Sequence, residues 1–141
     1  MFAMVCSFAA VVLFDRATKA LVFQKIAPGD SILLVGTLRL RPIRTPRPWP
    51  GESPLFWWAS VAAAAVGALL LLLLQPQTGW PIRIGIGAAL GGAGSNVLDR
   101  QRLGVVRDFV DLGIGGVFNP ADAAIVLGLL AVLLSFAAAR V

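Results

Sequence analysis

Aspartate is the residue type in this 141-residue chain best suited to acid–base chemistry, because the sequence contains no His and one cysteine, Cys6. The same absence excludes His-based catalysis, zinc sites of Cys and His, and an internal disulfide, so we expect neither a metal nor another cofactor. Five of the seven acidic residues stand at the ends of long apolar segments or in the connection between the last two segments: Asp15, Asp99, Asp108, Asp111 and Asp122. Ionisable groups at membrane depth cost on the order of 2.5 to 3.5 kcal/mol, so they are usually paired or functional. The pattern predicts a carboxylate site at one membrane face.

The elements that must position these acids are apolar helices. Hydrophobic residues make up 58% of the chain and charged residues 13%, whereas a soluble domain carries about 25% charged residues. This composition excludes a soluble globular protein and predicts an all-α integral membrane protein, a four-transmembrane-helix bundle in a single domain, 1–141. We expect helices over 2–23, 55–74, 83–98 and 120–139, joined by a Pro- and Arg-rich loop, 24–54, and a polar loop that carries acids, 99–119.

Three local features refine this prediction. Leu38–Arg41 alternates apolar and charged residues, which predicts a small surface strand or hairpin in the first loop. Gly87 and Gly91 stand four residues apart, a spacing that lets helices approach closely. The first apolar segment could instead be a cleaved signal peptide, but no basic residue precedes it.

Two pairs of polar residues share a helical face. Asp15 and Lys19 are four residues apart, as are Asn96 and Arg100. The first pair is either a helix-end ion pair or part of a catalytic site. Arg100 presents a planar guanidinium that could orient a catalytic acid, bind a lipid headgroup or extend toward the membrane surface. The spacing leaves these alternatives open.

Asp108 and Asp122 are the strongest catalytic candidates. Asn119 to Asp122 is typical of a helix start, with Asn as the N-cap and an acid in the first turn, so capping alone explains Asp122. Asp108 lies in a short apolar strip and has no capping role. Two aspartates facing each other across a water would share one proton, because both cannot ionise at close range.

Four segments, in order, resemble the motifs of the prolipoprotein signal peptidase family, the type II signal peptidases of bacteria: 15–19, 91–100, 106–109 and 118–125. The resemblance implies an intramembrane aspartic endopeptidase that cleaves the signal peptide from a diacylglyceryl-modified prolipoprotein, before the lipidated cysteine. It places Asp108 and Asp122 at the catalytic aspartates, with no metal. The other motif residues would support the dyad or hold the substrate: Asp15, Lys19, Asn96, Asp99, Arg100 and Asn119.

The chain departs from this family at two places. Members usually carry an Asn-x-Gly-x-Ala-Phe motif in the first external loop, and residues 24–54 contain none. Ser95 stands where the family has Gly before the Asn of the third-span motif. We therefore expect the first loop to hold whatever is unusual about the substrate.

The charge distribution and the resemblance predict opposite orientations. The two loops on the side of the acids contain eight of the twelve Lys and Arg residues, and the positive-inside rule alone would place them in the cytoplasm. The resemblance implies the bacterial inner membrane, both termini in the cytoplasm and the active site toward the outer leaflet, and we adopt that orientation. The expected partners are the lipid-modified precursor and membrane lipids, which the net charge of +5 would attract, with no nucleic acid and a monomeric enzyme.

Two other functions are compatible with the acids. A small transporter would need polar residues inside the spans, yet the second and fourth contain only Ser60 and Ser135. A non-catalytic or altered-specificity relative that binds lipoproteins or aids membrane assembly is favoured by the missing loop motif. The intact Asp108 and Asp122 favour the peptidase.

Overall fold

The computed structural model describes residues 1–46, 54–74 and 78–138. Along the chain the elements are α1 (Phe2–Lys25), β1 (Ile32–Val35), β2 (Leu38–Pro46), α2 (Pro54–Leu74), α3 (Trp80–Leu103), β3 (Val105–Asp111), β4 (Val117–Phe118) and α4 (Pro120–Ala138). Four helices are therefore present within the described ranges, as the sequence predicts. Parts of the expected elements lie outside those ranges: 47–53 of the first loop, 75–77 between the second and third helices, and 139 of the last helix.

Helix α3 is the central helix, and glycines let its neighbours approach closely. A Cβ placed on Gly91 would lie 2.8 Å from the backbone oxygen of Phe8 in α1, and one on Gly87 would meet Ser7 and the Met4 carbonyl of the same helix. On the side of α4, a Cβ on Gly85 would lie 2.6 Å from the Gly128 oxygen. The predicted close packing at Gly87 and Gly91 is confirmed, with α1 as the partner.

The strands form one antiparallel sheet in the order β1-β2-β3-β4. The predicted strand at Leu38–Arg41 lies in β2, which continues to Pro46. The predicted fold, a helix bundle with a small strand or hairpin region in the first loop only, omits half of this sheet. Strands β3 and β4 come from the segment expected to be a polar loop, 99–119. Val105 to Val110 is rich in β-branched and aromatic residues that favour a strand, and β2 offers it a pairing edge.

The ends of two helices also differ from the expected bounds. α1 continues to Lys25, and α3 begins at Trp80 and continues to Leu103. Gly104 ends α3 with a positive φ of 72°, a conformation that glycine adopts at little cost. The extra turn of α3 carries Asp99 and Arg100 as helical residues, directly before the strand that carries Asp108.

One helix of the described chain, Pro120–Ala138, is long and apolar enough to cross a membrane by length and composition. A shorter apolar helical stretch covers Trp58–Leu73. The number of helices matches the sequence prediction, and the crossing of the membrane by all four remains a prediction.

Candidate active site

Asn119 connects the two strongest catalytic candidates. Its side-chain Nδ2 donates to Asp108 Oδ1 at 2.6 Å, and its backbone N–H donates to Asp122 Oδ2 at 3.1 Å. Strand β3 delivers Asp108, and the first turn of α4 delivers Asp122. The fold therefore brings the two carboxylates to one asparagine.

Helix capping accounts for only part of the contacts of Asp122. The Asp122 N–H donates to Asn119 Oδ1 at 3.0 Å, which completes a reciprocal capping pair at the start of α4. That pair uses one carboxylate oxygen. The other, Oδ1, accepts from Asn96 Nδ2 at 2.7 Å. Asp122 thus caps its helix and still presents a carboxylate to the side chains of α3.

The orientation of the Asn96 amide follows from the groups around it. Its Oδ1 accepts from Lys19 Nζ at 2.9 Å and from Asn119 Nδ2 at 3.2 Å. Since both neighbours are donors, the amide oxygen must face them and Nδ2 must face Asp122. Asn96 therefore links Lys19 in α1 to Asp122 in α4, because its amide oxygen and amide nitrogen hydrogen-bond to one of them each.

A buried charge cluster, formed by Asp15, Lys19, Asp99, Arg107 and Arg16, lies beside this pair. Lys19 Nζ is 2.7 Å from Asp15 Oδ2 and 3.2 Å from Asp99 Oδ2, and all three side chains are fully buried. Arg107 binds Asp99 with Nη2 at 2.8 Å and Nε at 3.2 Å, and Arg16 reaches the same carboxylate at 3.3 Å. Each buried charge in the cluster is paired, which offsets the cost of burying it.

Asp15 also holds the start of α4. Its Oδ1 accepts from the Ala121 N–H at 3.0 Å, at a helix end where backbone donors lack partners inside the helix. Its Oδ2 accepts from Ser95 Oγ at 2.6 Å. The serine that departs from the family pattern thus has a role, because it adds a donor to a buried carboxylate.

Two contact residues, Thr45 and Arg107, were not identified from the sequence. Thr45 Oγ1 donates to Asp108 Oδ2. Its proximity depends on the pairing of β2 with β3, which no short-range spacing reveals. Arg107 precedes Asp108, and the alternation of a strand sends it the opposite way, toward Asp99. This strand alternation is the one sequence pattern that could have indicated that Arg107 points away from Asp108.

Asp111 makes its contacts away from the other acids. It pairs with Arg41 at 3.0 Å and accepts the Gly113 N–H at 2.8 Å. The expectation that the five acids gather at one membrane face stays a prediction, and within β3 Asp111 lies three residues beyond Asp108, outside the contacts that join the other four acids. Over the described parts of the chain, no group of three or more His, Cys, Asp and Glu side chains could hold a metal ion.

The predicted residue Arg100 lines a cavity of about 290 Å³ together with Asn96 and Asp122. Ser60 and apolar residues of α2, α3 and α4 complete its wall. A second cavity of about 340 Å³, lined by apolar residues of the same three helices, shares Ala64, Ala93 and Ile125 with the first. Asp122 thus stands at the polar end of an apolar groove.

Two carboxylates held by neutral donors, one of which lines an apolar groove between helices, form an arrangement that can carry out acid–base chemistry. The family model described as Signal peptidase (SPase) II matches residues 7–138. The chain belongs to this family, and the resemblance found in the motifs is confirmed.

Curated relatives cover most of the chain. A "Lipoprotein signal peptidase" of Pelotomaculum thermopropionicum is 36% identical over 126 residues, which are 85% of this chain and 82% of the relative. A protein of the same name from Gloeobacter violaceus is 36% identical over 130 residues, 87% of this chain and 75% of the relative. Both relatives therefore extend the match well beyond the four short motifs.

Solved structures share the fold. A structure described as a bacterial membrane enzyme has a TM-score of 0.85 with 21% sequence identity, covering 96% of this chain and 93% of that one. A second structure with the same description has a TM-score of 0.82 with 22% identity. The arrangement of helices around a small sheet is therefore shared with membrane enzymes of known structure.

Proposed function

We propose that this chain is a membrane-embedded aspartic endopeptidase that cleaves the signal peptide from diacylglyceryl-modified prolipoproteins, before the lipidated cysteine. Membership of the signal peptidase II family supports the peptidase activity and the prolipoprotein substrate. The observation that carries the aspartic mechanism is the contact of Asn119 with both Asp108 and Asp122.

The chemistry follows from two carboxylates that share one proton. The ionised carboxylate takes a proton from a water molecule, whose oxygen bonds to the carbonyl carbon of the scissile peptide. The protonated carboxyl transfers its proton to the carbonyl oxygen, which gives a tetrahedral diol. The C–N bond then breaks as the nitrogen receives the proton first taken from water, and the second carboxylate recovers a proton from a diol hydroxyl. The pair returns to its starting state with one proton between the two acids.

The neutral donors around the pair suit this exchange. Asp122 accepts from the Asn96 amide and a backbone N–H, and Asp108 accepts from the Asn119 amide and the Thr45 hydroxyl. Such donors fix the position of a carboxylate without the full positive charge that would keep it ionised. We infer that Asn96 and Asn119 orient the dyad, and that the buried charge cluster holds these two asparagines in place.

The apolar groove suits a lipid-modified substrate. Its cavity of about 340 Å³ is lined by small and branched apolar side chains, and it shares wall residues with the cavity that Asp122 and Arg100 line. An apolar signal sequence or acyl chain would bury its surface there while the scissile bond reaches the carboxylates. Arg100, at the polar end, would bind a substrate carbonyl or a lipid phosphate.

We further infer that all four helices cross the bacterial inner membrane and that the monomeric enzyme works at the outer leaflet. Large apolar side chains exposed on the outside of three helices support contact with lipid: Phe2, Leu13 and Phe14 in α1, Leu69, Leu70 and Leu73 in α2, and Leu127, Leu130 and Leu133 in α4.

For the orientation test, Asp30→Cys in a Cys6→Ser background should react with a membrane-impermeant maleimide added outside spheroplasts. Reaction only after lysis would reverse the orientation.

The substrate test compares a diacylglyceryl-modified precursor with its unlipidated form, each incubated with the purified full chain. Wild-type protein and the control Asp111→Asn should cleave the lipidated form alone, and Asp108→Asn should cleave neither. Asp111 is a matched control because it lies three residues away in the same strand and contacts Arg41 instead of the dyad. Binding of the lipidated precursor without cleavage by any of the proteins would favour the non-catalytic alternative.

A further inference from the structure

Among the described residues of the Pro- and Arg-rich loop, Thr45 is the one whose side chain contacts either of the two candidate catalytic acids. Thr45 pairs with Val106 across β2 and β3, and Asp108 pairs with Ile43. Thr45 and Asp108 are therefore diagonal neighbours on one face of the sheet, a separation that side chains can bridge. Thr45 Oγ1 donates to Asp108 Oδ2, and Asn119 Nδ2 occupies Oδ1 of the same carboxylate at 2.6 Å.

We propose that Thr45 is a positioning residue that supports Asp108 in both of its protonation states during peptide cleavage. This inference rests on the proposed function, in which each acid of the pair gains and loses a proton in every cycle. An ionised Asp108 can only accept hydrogen bonds, whereas a protonated Asp108 also has one to donate. Its partners must suit both forms.

The two partners of Asp108 differ in this respect. The Asn119 side-chain nitrogen can only donate, and its amide oxygen is already occupied by the Asp122 N–H at 3.0 Å. A hydroxyl can donate to the ionised acid and, after rotation, accept from the protonated one. Of these two partners, Thr45 is the one that can hydrogen-bond to Asp108 in both protonation states.

The location of Thr45 also supports its role in positioning Asp108. Asp108 is buried, with 5% of its surface exposed, and Thr45 lies on an exposed part of β2. The hydroxyl therefore meets the carboxylate from its solvent side and limits its rotation there. The register shift between Leu40 and Ile43 sets which residue of β2 reaches Asp108. A one-residue slip would turn Thr45 to the other face.

The test compares Thr45→Val, which keeps the shape and removes the hydroxyl, with Thr45→Ser, which keeps the hydroxyl. With the purified full chain and a diacylglyceryl-modified precursor, we expect Thr45→Val to lower kcat about tenfold or more, with KM within about twofold. Thr45→Ser should keep kcat within about threefold of wild type. Thr37→Val, which removes a hydroxyl from the turn of the same hairpin, should match wild type.

Three results would overturn the inference: wild-type kcat in Thr45→Val, equal losses in the Val and Ser variants, or a change confined to KM. Thermal unfolding in detergent, run in parallel, shows that each variant is folded when its rate is measured. Asp108→Asn separates this inference from the proposed function. If Asp108→Asn is inactive while Thr45→Val is fully active, only the role of Thr45 is wrong; if Asp108→Asn cleaves normally, the dyad itself is wrong.

Discussion

Two groups of carboxylates lie side by side in this bundle, and they are held in different ways. Asp15 and Asp99, in the buried charge cluster, contact the cations Lys19, Arg16 and Arg107. Within the described chain, Asp108 and Asp122 form no ion pair and accept only from amides, a backbone N–H and a hydroxyl. A carboxylate paired with cations serves as a structural anchor, whereas one held by neutral donors is suited to exchanging a proton with substrate and water. The contrast separates supporting acids from reacting acids.

Lys19→Met should give the largest loss of stability, because it removes the cation shared by Asp15 and Asp99 and leaves buried negative charge. Breaking such a buried pair costs about 3 to 5 kcal/mol. Denaturant unfolding in detergent micelles measures this loss. Asp122→Asn, which removes no ion pair, should lose far less, and equal losses in the two variants would erase the distinction between the two groups.

Asn96→Asp tests the residue that joins the two groups. The substitution replaces the Nδ2 donor facing Asp122 with a carboxylate oxygen, and it adds a negative charge near Lys19. We expect cleavage to fall about 10²-fold, since a donor to the reacting acid becomes a repelling group. The unfolding free energy should change less than in Lys19→Met. Unchanged cleavage would show that Asn96 does not orient Asp122.

Gly92→Val should disturb both groups of carboxylates, the buried charge cluster and the pair of Asp108 and Asp122. A Cβ at Gly92 would lie 2.9 Å from the Ile125 side chain and would also meet the Ala121 carbonyl, so the start of α4 must move. Overpacking of this kind costs about 1 to 3 kcal/mol. Gly67→Val in α2, where no atom lies within 4 Å of the added Cβ, is the matched control. The unfolding midpoint and cleavage should both fall in the first variant, whereas the unfolding midpoint of the second, whose added side chain enters the proposed substrate groove, should stay unchanged.

Arg41→Gln should have the smallest effect. Its ion pair with Asp111 lies at the surface, with the Arg41 side chain 46% exposed, and such pairs contribute about 0 to 1 kcal/mol. Neither cleavage nor the unfolding midpoint should change appreciably. A large loss of cleavage would place Asp111 among the functional acids after all.

The sequence predicted the helices and some contacts of the candidate site, because those features depend on local patterns. Apolar runs indicate the helices, and the i,i+4 spacing of Asp15 and Lys19 correctly predicts an ion pair. The Asn119 cap predicts the start of α4 at Pro120. Each of these features involves residues close together in the chain.

The sheet and its contacts could not be predicted in the same way. Strand β3 forms because β2, about sixty residues earlier, offers it an edge, and the Thr45 contact with Asp108 spans 63 positions. The cation partners of Asp99 come from α1 and β3, which only the tertiary fold brings together. Long-range pairing of this kind leaves little trace in residue spacing.

The role of Asp108 and Asp122 is tested most directly by the cleavage rate of Asp108→Asn and Asp122→Asn on a diacylglyceryl-modified precursor, measured alongside Asp111→Asn. Asn preserves the size of the side chain and removes the exchangeable proton. The rates of the two dyad variants should fall by at least about 10³-fold while the unfolding midpoints stay close to wild type, and Asp111→Asn should remain active. Cleavage at the wild-type rate by either dyad variant would contradict the assignment of these acids as the reacting pair.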